Sequence, residues 1–156
     1  MSKPKPKITT AQIGQCGVFL LQYELLLSGV ESAAMTTDYG IDLVAYSPTK
    51  RNAVTIQVKA KLKPAPGGGR GRMALGWRIP AESPAQYAAF VDLRSKNIWI
   101  FSLREIAECA QQHTPKGDQL YFYIDDDVKT RTGKPGHMSE FEKFRLPNRM
   151  SEIFEV

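Results

Sequence analysis

Between residues 53 and 61 the chain alternates with a period of two. Val54, Ile56, Val58 and Ala60 fall on one face of an extended segment, and Thr55, Gln57, Lys59 and Lys61 on the other. A helix would scatter these residues around its circumference, so the segment is a half-buried strand. Upstream the period is helical. Ile13, Val18, Leu21 and Leu25 form a broad apolar stripe that predicts a helix over about Ala11 to Ser28, with Thr9 or Thr10 as its cap and Gly29 as its stop. A chain of 156 residues that must satisfy both periods in one compact domain is of the α/β class.

The remaining punctuation fills in the order of elements. Ile41 to Tyr46 and Ala53 to Lys61 read as neighbouring strands across the turn-rich stretch Ser47 to Asn52. Lys63 to Arg72, with its triple glycine, is a loop leading to a third strand over Met73 to Ile79. Glu82 to Ala89, with Pro84 near its start, reads as a short helix or helical turn. Phe90 to Leu93 and Ile98 to Ser102 are strands around the turn 94–97, Leu103 to Gln112 is helical, and Leu120 to Ile124 is a strand. Asp125 to His137 is a polar loop, and residues 138–156 hold a short helix and an extended tail. This order predicts an α/β sandwich around a central mixed β-sheet. Residues 1–10 form a basic flexible tail, 11–125 the main domain, and 126–156 a loop and short helix packed on it.

Several function classes drop out early. The two cysteines, Cys16 and Cys109, have no metal-ligand or disulfide spacing. Cys16 lies inside the predicted helix and reads as a small buried hydrophobe. His113 and His137 stand apart from each other and from sequence-adjacent carboxylates. No G-x-S-x-G elbow occurs, and the glycine loop lacks the ending of a P-loop. Asp125 to Asp127 is followed by Val128, Lys129 and Thr130, which breaks EF-hand spacing. Trp77, Trp99 and Tyr87 read as packing residues. No apolar run is long enough to span a bilayer and none follows the basic start as a signal would, so a cytoplasmic protein is expected. The formal net charge of +5 suits a polyanionic partner.

The chemistry-bearing segment is Tyr39-Gly40-Ile41-Asp42-Leu43-Val44-Ala45, followed by Ile56-Gln57-Val58-Lys59. An acid opens one strand, and a polar-x-Lys triplet sits on one face of the next. Phosphodiester hydrolysis needs such parts: a carboxylate for a hard divalent cation, and an ammonium for water or developing charge. The bland alternative is a solvated sheet face on which Asp42 and Lys59 form a cross-strand ion pair.

The pattern resembles the PD-(D/E)XK nuclease superfamily, which includes restriction endonucleases and Holliday-junction resolvases. The resemblance runs from residue 11 to about 103, through Gly14-Gln15-Cys16-Gly17 on the opening helix and the later strands around Val91 and Trp99. It implies a restriction-endonuclease-like fold, Mg2+ or Mn2+ as cofactor and DNA as substrate. By the same resemblance Asp42 is the metal-binding acid, Gln57 fills the D/E position, the Val58 backbone carbonyl is a ligand, and Lys59 is the catalytic lysine. Lys61, Lys63, Arg70, Arg72 and Arg78 follow closely and form an expected DNA-facing rim. Relatives often act as dimers, which makes a homodimer an expectation.

Two departures motivate a different outcome, a catalytically degenerate nuclease fold that binds DNA or a protein partner. Gln57 brings no charge where an acid is usual. Val18 stands where many relatives have a helix glutamate, and Glu24 lies about 120° around the helix from it. Gln15 is better directed but neutral, and Asp38 is a candidate replacement carboxylate. A third reading, a scaffold whose basic charge serves solubility alone, rests on no motif.

Overall fold

The computed structural model describes residues 3–37, 39–128 and 133–156. The opening helix, α1 (Thr10–Leu27), starts where Thr9 and Gln12 cap each other reciprocally: the Gln12 N–H donates to the Thr9 hydroxyl at 3.2 Å, and the Thr9 N–H to the Gln12 side chain at 2.8 Å. Its buried residues, Gly17, Val18, Leu21 and Leu25, recur at helical spacing. Gly29, at φ +83°, ends it as predicted.

After α1 come β1 (Glu31–Ala34), β2 (Leu43–Ser47), β3 (Asn52–Lys61), β4 (Ala65–Pro66), β5 (Met73–Pro80), β6 (Tyr87–Asp92) and β7 (Asn97–Ser102). Next are α2 (Leu103–Cys109), β8 (Gln112–Thr114), β9 (Gly117–Tyr123), a 3-10 helix over Met138–Phe144, and α3 (Leu146–Phe154). The central sheet has five strands in the order β1-β2-β3-β6-β7 and is mixed, because β3 and β6 run parallel while its other pairs are antiparallel. A second, four-stranded antiparallel sheet has the order β4-β5-β9-β8. The fold is thus mixed α/β around a central mixed sheet.

The alternation in β3 sets the layers. Val54, Ile56 and Val58 join an aliphatic core with Leu21 and Leu25 of α1 and Met150 and Ile153 of α3. On the opposite side, Ala88 and Phe90 of β6 meet Trp77 and Phe122 of the second sheet in an aromatic core. The Trp77 and Phe90 rings stack with centroids 5.0 Å apart, and Trp99 meets Phe122 edge-on at 5.0 Å. Both tryptophans are core residues, as expected, and Tyr87 packs against the aliphatic cluster.

Several local expectations are corrected. Residues 81–86 are turn and irregular chain rather than helix, and Tyr87–Asp92 is a strand. Pro80 and Pro84 deny that stretch helical hydrogen bonds, and pairing with β3 claims Ala88 to Val91, a run buried on both faces. The strand expected over Met73 to Ile79 forms as β5, but in the second sheet. The glycine-rich connection carries it into the other layer, and β6 takes the place beside β3. The short edge strands β1 and β8 have too little pattern to announce themselves. Residues 138–156 hold a 3-10 helix followed by α3, in place of one short helix and an extended tail. Cys16 is exposed, whereas Cys109 is buried. His113 is not isolated, since its Nδ1 lies 2.7 Å from the Asp118 carboxylate. Asp38, and Lys129 and Thr130 of the polar loop, lie outside the described residues.

Candidate active site

The site is built where β2 begins beside the middle of β3. Gly40 sits at φ +84°, and a Cβ there would come within 2.9 Å of the Pro84 ring, so glycine is required on both counts. The chain then enters β2 through an irregularity. Leu43 stands opposite Ile56 in the register, yet the Asp42 N–H also donates to the Ile56 carbonyl at 2.9 Å. Asp42 and Leu43 together oppose one residue of β3, the two-against-one count of a β-bulge. On its other side the Asp42 carbonyl accepts the Met35 N–H at 3.0 Å. The backbone of Asp42 is therefore held from both neighbours.

This places its carboxylate against the next strand. Asp42 Oδ2 accepts the backbone N–H of Val58 at 2.6 Å. The N–H and C=O of a strand residue leave by the same edge, so the Val58 carbonyl projects toward the Asp42 side as well. Gln57 is buried, with 6% of its surface exposed, and its Oε1 accepts the Ser83 hydroxyl at 3.1 Å. Lys59 shares the face of Gln57 and is half-buried. It lines a groove of about 400 Å³ between the central sheet and the outer surface of β5 and β9.

The expected basic rim divides. Lys61, Lys63 and Arg78 line the same groove as Lys59, together with Gly67 and Gly68 of the glycine loop. Arg70 is exposed at the end of the 3-10 turn Gly67–Gly69, outside the groove lining. Arg72 turns to a different hollow, where it forms an ion pair with Asp127.

The expected site residues offer only hard oxygens: the Asp42 carboxylate, the Gln57 amide oxygen and the Val58 carbonyl. This set suits Mg2+ or Mn2+, which are commonly held by one or two carboxylates and complete their shell with water and substrate phosphate. Among the described residues no three His, Cys, Asp or Glu side chains gather into a metal-holding group. Val18 is buried in the aliphatic core and Gln15 is exposed.

The solved structure of a bacterial homing endonuclease, I-Ssp6803I, is similar over 96% of this chain and 94% of its own, with a TM-score of 0.62 and 14% identity. The two chains share a fold. No family model matches the chain, and no curated protein matches it in sequence. Among the described residues no helix is long and apolar enough to cross a membrane.

Sequence reasoning missed three residues at this site. Ser83 holds the Gln57 amide, and Gln119 and Tyr121 form part of the groove wall. Ser83-Pro84 carried a signal, since that dipeptide favours a turn over a helix. Nothing local to Gln119 or Tyr121 points to a groove formed by a strand some sixty positions from Lys59.

Proposed function

We propose that this protein is a divalent-metal-dependent nuclease of the PD-(D/E)XK kind that hydrolyses phosphodiester bonds in DNA. The observation that carries the reading is the Asp42 carboxylate seated on the N–H of Val58, the residue between Gln57 and Lys59, with Lys59 lining a groove that Lys61, Lys63 and Arg78 also line. The likeness in fold to a homing endonuclease supports it.

Asp42 and the Val58 carbonyl, helped by Gln57, would hold Mg2+ or Mn2+. Bound there, the ion would supply Lewis acidity toward a phosphate oxygen and a water. Lys59 positions the attacking water and offsets charge that develops on the phosphate. Ser83 fixes the Gln57 amide so that its oxygen stays near the strand. Lys61 and Lys63 neutralise flanking phosphates, which makes binding salt-dependent.

The test is incubation with plasmid and linear DNA in Mg2+ or Mn2+. Wild type cleaves, while Asp42→Ala and Lys59→Ala each lose about 100-fold or more in rate. Equal cleavage by wild type and both variants refutes the assignment.

A second reading is favoured by the neutral Gln57 and by the buried Val18 in place of a helix acid. On it, the protein binds DNA without cutting it. Salt-sensitive binding, with no cleavage and no metal bound at millimolar concentration, selects this alternative. In either case the assembly we favour is a homodimer, formed through the uncharged outer face of α1, where Phe19, Tyr23, Leu26 and Leu27 are exposed.

A further inference from the structure

The outer face of the second sheet lies beyond the nuclease chemistry, and its residues have a pattern of their own. β5 and β9 pair antiparallel from Ala74 opposite Tyr123 to Pro80 opposite Gly117. Alternation sends Leu75, Trp77, Ile79, Leu120 and Phe122 into the aromatic core. The outward positions are then Ala74, Gly76 and Arg78 on β5, facing Tyr123, Tyr121 and Gln119 on β9. None of the outward positions on β5, β8 or β9 is an acid.

The small residues and the large ones are complementary across the ladder. A Cβ on Gly76 would approach Tyr121 Cε1 to 3.2 Å, so the tyrosine ring lies against the glycine. From there the Tyr121 hydroxyl donates to Gln119 Oε1 at 3.2 Å, which orients the carboxamide and leaves its N–H2 group to donate elsewhere. Arg78 stands directly opposite Gln119, is exposed, and makes no ion pair among the described residues. Arg78, Gln119 and Tyr121 line the same groove as Lys59. The face therefore meets the candidate active site at Lys59.

We infer that the β5–β9 ribbon lies in the major groove of duplex DNA and that Arg78 and Gln119 read base edges there. A two-stranded antiparallel ribbon fits that groove. An arginine fork matches O6 and N7 of guanine, and a glutamine amide matches N6 and N7 of adenine. Side-by-side placement directs the two readers at adjacent base pairs, with Tyr121 as a positioning residue for Gln119. Arg78 thereby acts as a specificity determinant rather than as one more phosphate contact. The inference rests on the proposed DNA-directed function, and it adds sequence preference to it.

The experiment is selection from a random-sequence duplex library by the full chain in EDTA, where cleavage is silent. Wild type, Arg78→Lys, Gln119→Ala and Lys61→Ala are compared. Arg78→Lys keeps the charge and loses the fork. Wild type should enrich a motif containing a guanine next to an adenine. Arg78→Lys should flatten the guanine position by about 10- to 100-fold in discrimination while retaining affinity for unselected DNA, and Gln119→Ala should flatten the adenine position. Lys61→Ala should weaken all sequences alike. An unchanged motif in Arg78→Lys and Gln119→Ala overturns the inference. So does salt-sensitive wild-type binding with no motif, and that result leaves the nuclease reading standing. Failure to bind any DNA removes both.

Discussion

Gly17 of α1 lies so close to Ala60 of β3 that a Cβ built on the glycine would stand 2.6 Å from the alanine Cβ. The helix is thereby seated on the strand that carries Gln57 and Lys59, and one methyl group decides how deeply. Gly17→Ala gains helix propensity but must push α1 away from β3, and overpacking of this kind costs about 1–3 kcal/mol. Gly14, one turn earlier, has no atom within 4 Å of its would-be Cβ. Gly14→Ala is expected to stabilise by about 0.5–1 kcal/mol. Urea midpoints of the two variants should move in opposite directions, and a shift the same way for both contradicts this packing.

Gln57 offers a direct probe of the metal set. Gln57→Glu puts a carboxylate in a place only 6% exposed, where the Ser83 hydroxyl is its one identified hydrogen-bond donor. Without metal, the variant should melt below wild type at neutral pH, because a buried charge lacks a counter-charge. Millimolar Mn2+ should recover most of the loss and raise the melting temperature of the variant more than that of wild type, since a ligand stabilises according to its affinity for the folded state. Equal metal responses in the two proteins would remove Gln57 from the ligand set.

Acid stability should report on a pair far from the site. Glu105 caps the start of α2 through the Ser102 N–H at 2.8 Å and accepts Arg149 Nη1 of α3 at 2.9 Å. Burial pushes the Glu105 carboxyl up, but the hydrogen bonds from Arg149 and Ser102 and the Arg149 charge outweigh it and hold the carboxyl below its ordinary value. A carboxyl held low in the folded state contributes stability above its unfolded value, about 4.3, and loses it as pH falls through the folded value. Glu105→Gln keeps the capping pattern and loses the charge. It should therefore be less stable than wild type at neutral pH, and the gap in urea midpoint should close in acid. A gap independent of pH would mean that the pair contributes by packing alone.

The two thiols should separate cleanly. Cys16 is exposed on α1, whereas Cys109 is buried in the aromatic core and its thiol is pushed up, chiefly by burial. One equivalent should react with a thiol reagent in the native protein, and the second only on unfolding. Two fast equivalents would contradict the packing of α2.

What could be read in the sequence follows the range of the interactions involved. The alternation of β3 and the helical stripe of α1 are local patterns, and both elements formed where their residues placed them. So did the common face of Gln57 and Lys59, a matter of spacing alone. The parallel pairing of β6 with β3 joins Ile56 to Tyr87, and no local signal records such a partner. That pairing overrode the helical reading of residues 82–89. The same holds at the groove, where β5 belongs to another layer. Arg78 arrives beside Lys59 while Arg72, six residues earlier, is drawn off by Asp127. Sequence proximity to Lys59 could not make that distinction.

The outer face of α1 carries the remaining expectation. Phe19, Tyr23, Leu26 and Leu27 recur at helical spacing opposite the buried Val18, Leu21 and Leu25, and each is more than half exposed. Glu24 is the helix's single charged residue. An uncharged apolar stripe can pair with its own copy about a two-fold axis without placing like charges together, which matters for a chain of net charge +5. Light scattering coupled to size exclusion should give a dimer for wild type. Phe19→Glu and Leu26→Glu should give monomers with unchanged circular dichroism, because both side chains point away from the core. A wild-type monomer at roughly 100 µM, well above the micromolar dissociation constants of modest interfaces, would leave that face without the partner assigned to it.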